Sequence, residues 1–251
     1  MVGNLIRKII PERFRPIGYL QHLTRKRTGC SVRRGPFAGM RYINVSHGSA
    51  YIPKLLGIYE RELAPQVEAL VARAPLILVD IGAAEGYYAI GFARLLPTTS
   101  IIAFEMDPIG RSALREMAAL NGVSARIQIR GKCEPADLVA ALSDKQNTVV
   151  VCDVEGYEQI LLDPRVVPAL SRAAVLVELH DCFIPNITET LKARFAGTHR
   201  ITHIWQEPRS SKDFPWRTLV TTLLPNSYLN WAVSEWRPVR MAWLWMEPDS
   251  V

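Results

Sequence analysis

Six residues with useful side-chain chemistry stand at the ends of apolar runs in this 251-residue chain: Asp80, Glu105, Asp153, Glu178, His180 and Asp181. A carboxylate so placed can accept hydrogen bonds from a ligand's hydroxyls, and a histidine or aspartate nearby can take a proton. Asp153, Glu178, His180 and Asp181 could instead gather around a divalent ion, which would activate a hydroxyl without a base; this alternative is less favoured. The most informative piece is Val79 to Tyr88, where Gly82 and Gly86 permit a tight turn and close approach of a ligand to backbone N–H groups. A dinucleotide fingerprint needs glycine at 84 and 87, where Ala84 and Tyr87 stand, and Glu85 would repel a pyrophosphate at the helix start. NAD is therefore disfavoured. Glu105 lies 23 residues past Gly82, where a carboxylate can accept from two ribose hydroxyls. An acid-lined site without a phosphate nest suits a nucleoside cofactor that lacks phosphate and carries positive charge.

These side chains need elements that bring them to one edge. Short apolar runs recur: Leu76 to Val79 before Asp80, Ile101 to Phe104 before Glu105, Ile127 to Ile129 before Gly131, Val149 to Cys152 before Asp153, and Val175 to Val177 before Glu178. Their endpoints are 25, 26, 22 and 25 residues apart, the length of a strand, a helix and a return. Continuous apolar runs suit strands buried on both faces of a parallel sheet. The clearest intervening helix runs from Asp107-Pro108 to Asn121-Gly122, with a capping acid, a first-turn proline and an apolar stripe of Ile109, Ala113, Leu114, Met117 and Ala118. Residues 50–74 also read as helical, interrupted by Pro65. Ile201 to Trp205 and Met241 to Met246 read as two late strands, with a helix near Tyr228 to Glu235 between them. All six tryptophans fall between Trp205 and Trp245; Trp243 and Trp245 suit packing, whereas Trp216, Trp231 and Trp236 suit a lid. In an open α/β sheet, ligands bind beyond the carboxyl ends of the strands, where the acids collect.

At this point a resemblance becomes specific. Asp80-Ile81-Gly82-Ala83-Ala84-Glu85-Gly86 resembles motif I of class I S-adenosylmethionine-dependent methyltransferases, with Ala84 in place of the central glycine. Asp153-Val154-Glu155-Gly156-Tyr157-Glu158 is similar to the signature of the FkbM-type family, which mainly methylates hydroxyls of sugars and other natural products. The segments Val177 to His180 and Gly57 to Glu60 are also similar to that family; Val151, where the family often has lysine, and the stretch after Gly197 depart from it. The resemblance implies an α/β, Rossmann-like class I methyltransferase fold, with a mostly parallel seven-stranded sheet flanked by helices. It implies that Asp80, Gly82, Ala84 and Gly86 hold the methionine part of S-adenosylmethionine and Glu105 its ribose. Met106, Gly131 and Cys133 would border the adenine; Asp153 would lie beside the methyl, with Glu155, His180 and Asp181 facing the acceptor. An alcohol is a poor nucleophile until its proton is taken, so His180 is the first choice for base and Asp153 the second. The expected acceptor is a small-molecule or glycan hydroxyl. RNA or protein methylation, or a non-catalytic cofactor-binding scaffold, are the alternatives.

Composition limits the rest. With 49% hydrophobic and 22% charged residues the chain is globular, and no apolar run reaches the ~18 residues of a membrane span. The net charge of +6 is uneven: residues 1–34 carry nine Lys and Arg against Glu12, so the other residues sum to −2. Leu5, Ile6, Ile9 and Ile10 mark a short basic helix, and residues 1–34 are the expected place for any peripheral membrane or polyanion contact. No specific nucleic-acid motif is present. Arg7 and Lys8 interrupt what a signal peptide needs, and Cys30, Cys133, Cys152 and Cys182 form no zinc or disulfide pattern, so a reducing, cytoplasmic setting is expected. Cys152, in an apolar strand, reads as inert. The expected organisation is a basic extension over residues 1–49 and a catalytic domain over 50–251, with an insertion at 206–239.

Overall fold

The computed structural model describes residues 15–44, 46, 47, 50–142 and 146–249; the expected basic helix at Leu5 to Ile10 lies outside them. The strands are β1 (Ile77–Ile81), β2 (Ser100–Phe104), β3 (Ile127–Arg130), β4 (Thr148–Cys152), β5 (Ala174–Leu179), β6 (His199–Trp205) and β7 (Ala242–Pro248). In chain order, the helices are α1 (Pro16–Thr28), α2 (Tyr51–Leu56), α3 (Ala64–Arg73), α4 (Tyr87–Leu95), α5 (Pro108–Leu120), α6 (Pro135–Leu142), α7 (Glu158–Leu161), α8 (Ile187–Phe195), α9 (Leu219–Leu223) and α10 (Asn226–Val233). The chain divides into two compact units, Met1–Arg61 with Glu207–Arg237, and Glu62–Gln206 with Pro238–Val251.

The second unit holds the whole sheet, in the order β3-β2-β1-β4-β5-β7-β6. β1 to β5 pair in parallel, and β7 runs antiparallel to both β5 and β6. Both faces are covered, which is why β4 and β5 are buried along their full length and read as unbroken apolar runs. The core on one face includes Val79, Phe104, Leu138, Val150, Val175, Leu191 and Leu244. Chain order reverses between β1 and β4: β1 is followed in space by β2 on one side and β4 on the other. That places a ligand crevice at the carboxyl ends of these two strands.

Three details differ from the reading of the runs. Asp80 and Glu178 do not terminate their strands but lie within β1 and β5, because the ladder continues past them. Ile109, placed on the buried stripe of α5, is 70% exposed; it sits in the first turn, and Gly110 takes the inward position. The helical stretch at 50–74 is two helices, with Pro65 in the first turn of α3, where its missing N–H costs nothing.

The first unit is helical. Leu20 and Leu23 of α1, Ile52 and Leu56 of α2, and Leu229 and Val233 of α10 enclose Phe214. Below this core lies a buried ion-pair network. Glu235 accepts from Arg209 (2.7 Å), from Arg237 (3.2 Å) and from the Glu60 backbone N–H (3.0 Å), while Arg237 also pairs with the Glu60 carboxylate. This unit thus draws on the expected extension, on residues 50–61, which the sequence reading placed with the catalytic domain, and on the expected insertion.

Candidate active site

The turn after β1 is shaped by backbone that only particular residues tolerate. Gly82 has φ +84°, and a Cβ there would lie 1.7 Å from the Asp153 carbonyl oxygen, so glycine is required where the ends of β1 and β4 meet. Ala84 is left-handed too, at φ +49°, a conformation that costs a residue with a Cβ about 1–2 kcal/mol. The compensation is visible: the Ala84 N–H donates to Glu105 Oε2 at 2.8 Å. The other oxygen, Oε1, accepts from the Asp107 N–H at 2.7 Å. Asp107 itself caps α5 by accepting from the Ile109 N–H at 2.8 Å, and Arg111 donates to the carbonyls of Glu105 and Met106. The Glu105 carboxylate, 8% exposed, is therefore held in one orientation, with lone pairs on both oxygens to spare for further donors.

Around it, Met106 is exposed at the end of β2, and Gly131 is exposed at the end of β3, where the Glu105 N–H donates to the Arg130 carbonyl at 3.2 Å. Cys133 turns its side chain into the core, and burial pushes its thiol up to about 12. Asp80 is buried beside Val151 and Ala103, and Glu85 is wholly buried just before α4. This part of the rim therefore carries the carboxylates of Asp80, Glu85 and Glu105.

The second half of the site lies at the ends of β4 and β5. The Asp153 N–H donates to the Ile81 carbonyl at 2.9 Å, fixing this end of β4 against β1. Asp153, Glu178 and His180 come together, with one ligating atom from each lying within 4.8 Å of the others. Asp181 does not join them: it is exposed and accepts from the backbone N–H and hydroxyl of Thr188 at the start of α8. Glu155, left-handed at φ +50°, is exposed on the loop between β4 and α7.

Glu158, wholly buried at the start of α7, organises this half. It accepts from His180 Nδ1–H at 2.7 Å, from the Val154 N–H at 3.2 Å and from the Gly156 N–H at 2.8 Å. Since the carboxylate can only accept, the neutral imidazole carries its proton on Nδ1 and presents Nε2 as the basic face. Nε2 sits 3.6 Å from Asp153 Oδ1, beyond hydrogen-bond distance but within ion-pair range, and the ring stacks on Phe183. Burial lowers the His180 pKa, but the hydrogen bond to Glu158 and the charges of Asp153, Glu158 and Glu155 outweigh it, so the net shift is upward from 6.5. Glu158 was not among the site residues read from spacing. The signal was present, as the last acid of the Asp153–Glu158 segment, but its partner lies 22 residues away on another strand.

Chemically, this half can take a proton at Nε2. Asp153, Glu178 and His180 are also the residues that could hold a divalent ion, with Glu158 orienting the imidazole as carboxylates do for metal-bound histidines. Cys152 is fully buried and burial raises its thiol pKa well above the usual range, so it is no nucleophile. Trp243 is buried against Tyr88, with ring centroids 6.2 Å apart.

No protein-family model matches the chain, and no curated protein sequence matches it. Solved structures do. The O-methyltransferase TomG from Streptomyces achromogenes is 20% identical over 57% of this chain and 74% of its own, with a TM-score of 0.43. The METTL16 methyltransferase domain is 16% identical over 92% and 78%, at 0.49, and an S-adenosylmethionine-dependent O-methyltransferase from Thermotoga maritima is 12% identical over 74% and 65%, at 0.48. With its strand order and single antiparallel strand, the sheet has the Rossmann-like class I methyltransferase fold.

Proposed function

We propose that this chain is an S-adenosylmethionine-dependent methyltransferase that acts on a hydroxyl oxygen of a small molecule or glycan, in the manner of the FkbM-type enzymes it resembles. The observation that carries this reading is the presence of two prepared groups on the same carboxyl edge of the sheet, one after β2 and one after β5, with the ends of β1 and β4 between them. Glu105 is held with its acceptor oxygens fixed, and His180 is held by Glu158 with its basic nitrogen beside Asp153. The donor set fits the cofactor: a rim of carboxylates suits a ribose diol and a sulfonium cation, and the left-handed glycines at 82 and 86 keep the turn beside it tight. Asp80 and the turn residues would hold the methionine part, Glu105 the ribose, and Met106 and Gly131 the edge of the base.

S-adenosylmethionine, held by Glu105 and the turn after β1, would supply an electrophilic methyl group and leave as the neutral thioether, which keeps the electron pair of the broken C–S bond. His180 Nε2 would take the proton of the acceptor's O–H as that oxygen forms the new C–O bond. Asp153, close to Nε2, stabilises the imidazolium that forms. Holding oxygen, carbon and sulfur in line contributes the larger share of the rate.

The test is transfer of labelled methyl groups to a panel of sugars, phenols, RNA and proteins by the intact chain. Transfer to a hydroxyl acceptor that falls about 10²–10⁴-fold in His180→Ala, with cofactor binding unchanged, supports the assignment. Transfer to RNA or protein alone refutes the acceptor class. Cofactor binding with no transfer on any acceptor points to a scaffold. Loss of activity on chelation that a divalent ion restores would put a cation between Asp153, Glu178 and His180.

A further inference from the structure

We propose that the first unit docks on an anionic lipid bilayer through the exposed leucines of α9, with the exposed tryptophans on and just past α10 as further anchors. The orientation of α9 is the leading observation. Its capping residue Thr218 accepts from the Thr221 N–H, and Thr221, 1% exposed, turns its hydroxyl inward to donate to the Trp216 carbonyl at 3.1 Å. Of the two threonines in the helix Thr221 is thus turned in and Thr222 is exposed, while Leu219 and Leu223 are 78% and 76% exposed. Spaced i and i+4, they share one face. Val220 adds to it, and Trp231 and Trp236, both exposed, lie in contact at 4.7 Å on and just past α10. A helix that turns leucines outward and a threonine inward has its apolar surface prepared for a non-aqueous neighbour.

Charge on the same unit selects the neighbour. Over Met1–Arg61 and Glu207–Arg237 there are sixteen Lys and Arg against five Asp and Glu, a balance of +11, whereas the sheet-bearing unit balances at −5. Two of these cations stand at the start of α9. Arg217 is exposed next to the cap of α9, and Arg33 lies over the Trp216 ring at 5.6 Å. Tyr19 of α1 hydrogen-bonds to Thr218, which brings a helix bearing exposed Lys26 and Arg27 alongside. Exposed leucines and tryptophans bordered by Arg and Lys are the composition of an interfacial anchor, with leucine entering the acyl boundary, tryptophan at the headgroups and cations on anionic phosphates. A second copy meeting this unit face to face would bring +11 against +11, and exposed leucines offer nothing to a nucleic acid base.

The experiment is co-sedimentation of the full chain with vesicles of phosphatidylcholine containing phosphatidylglycerol, against phosphatidylcholine alone, at low and high salt. Binding to the anionic vesicles, weakened by salt, is expected, and Leu219→Glu/Leu223→Glu should weaken it about tenfold or more. Both positions are exposed, so an unchanged thermal melt accompanies that loss. Brominated lipid should also quench the chain's tryptophan fluorescence, less so in Trp231→Phe/Trp236→Phe. The proposal is overturned if anionic and neutral vesicles are bound alike, or if the Leu219→Glu/Leu223→Glu chain binds as the unaltered one does. It is also overturned if that variant changes only self-association or RNA binding.

Discussion

His180 and Glu158 form the residue-scale unit on which the proposed chemistry depends. Because the fold raises the His180 pKa above 6.5, the fraction of neutral base grows as pH rises through that raised value. The acid limb of the rate profile should therefore lie above 6.5. Glu158→Gln keeps an acceptor for Nδ1–H but removes the charge, so the limb should move toward lower pH; a lowered rate with an unmoved limb would mean that Glu158 only supports the loop. The same shift has a stability consequence. A proton on His180 is favoured by the folded state, so its contribution is full below 6.5 and is lost as pH rises through the native pKa. The melting difference between the unaltered chain and His180→Asn should shrink across that window. Asp153 and His180 were legible in the sequence because each follows an apolar run. Glu158 was not, since a buried acid reads like any helix-start acid until its partner strand is in place.

At the scale of elements, the site depends on the meeting of β1 and β4. Gly82→Ala places a methyl 1.7 Å from the Asp153 carbonyl, in a backbone region that a Cβ disfavours, so it should cost stability of about 3 kcal/mol or more and remove cofactor binding. Asp107→Ala removes a helix cap and should cost about 1 kcal/mol in urea denaturation, with binding little changed because the backbone donor to Glu105 remains. The strands were readable because a sheet buried on both faces demands continuous apolar runs, and α5 because its cap, proline and terminal Asn-Gly lie next to one another in the chain. Ile109 was misread because periodicity gives a face without saying where the sheet ends beneath it.

On the scale of the whole molecule, the division into units was the least legible feature. The pairs that build the first unit are far apart in sequence: Tyr19 with Thr218, Glu60 with Arg237, and Arg209 with Glu235 across the helical insertion. Periodicity carries no trace of such contacts. Glu235→Ala would leave Arg209 and Arg237 short of a buried acceptor and should destabilise this unit by about 3–5 kcal/mol, seen as an earlier urea transition. The +6 of the chain likewise dissolves into +11 and −5, and the acidic unit is the one that carries the carboxylate rim. The central claim, that this rim takes S-adenosylmethionine, is tested most directly by isothermal titration with S-adenosylhomocysteine and NADH. The intact chain should bind S-adenosylhomocysteine and not NADH, and Glu105→Ala should weaken that binding about 10–100-fold through the lost hydroxyl acceptors. Binding of NADH alone, or equal affinity in Glu105→Ala, would contradict the account.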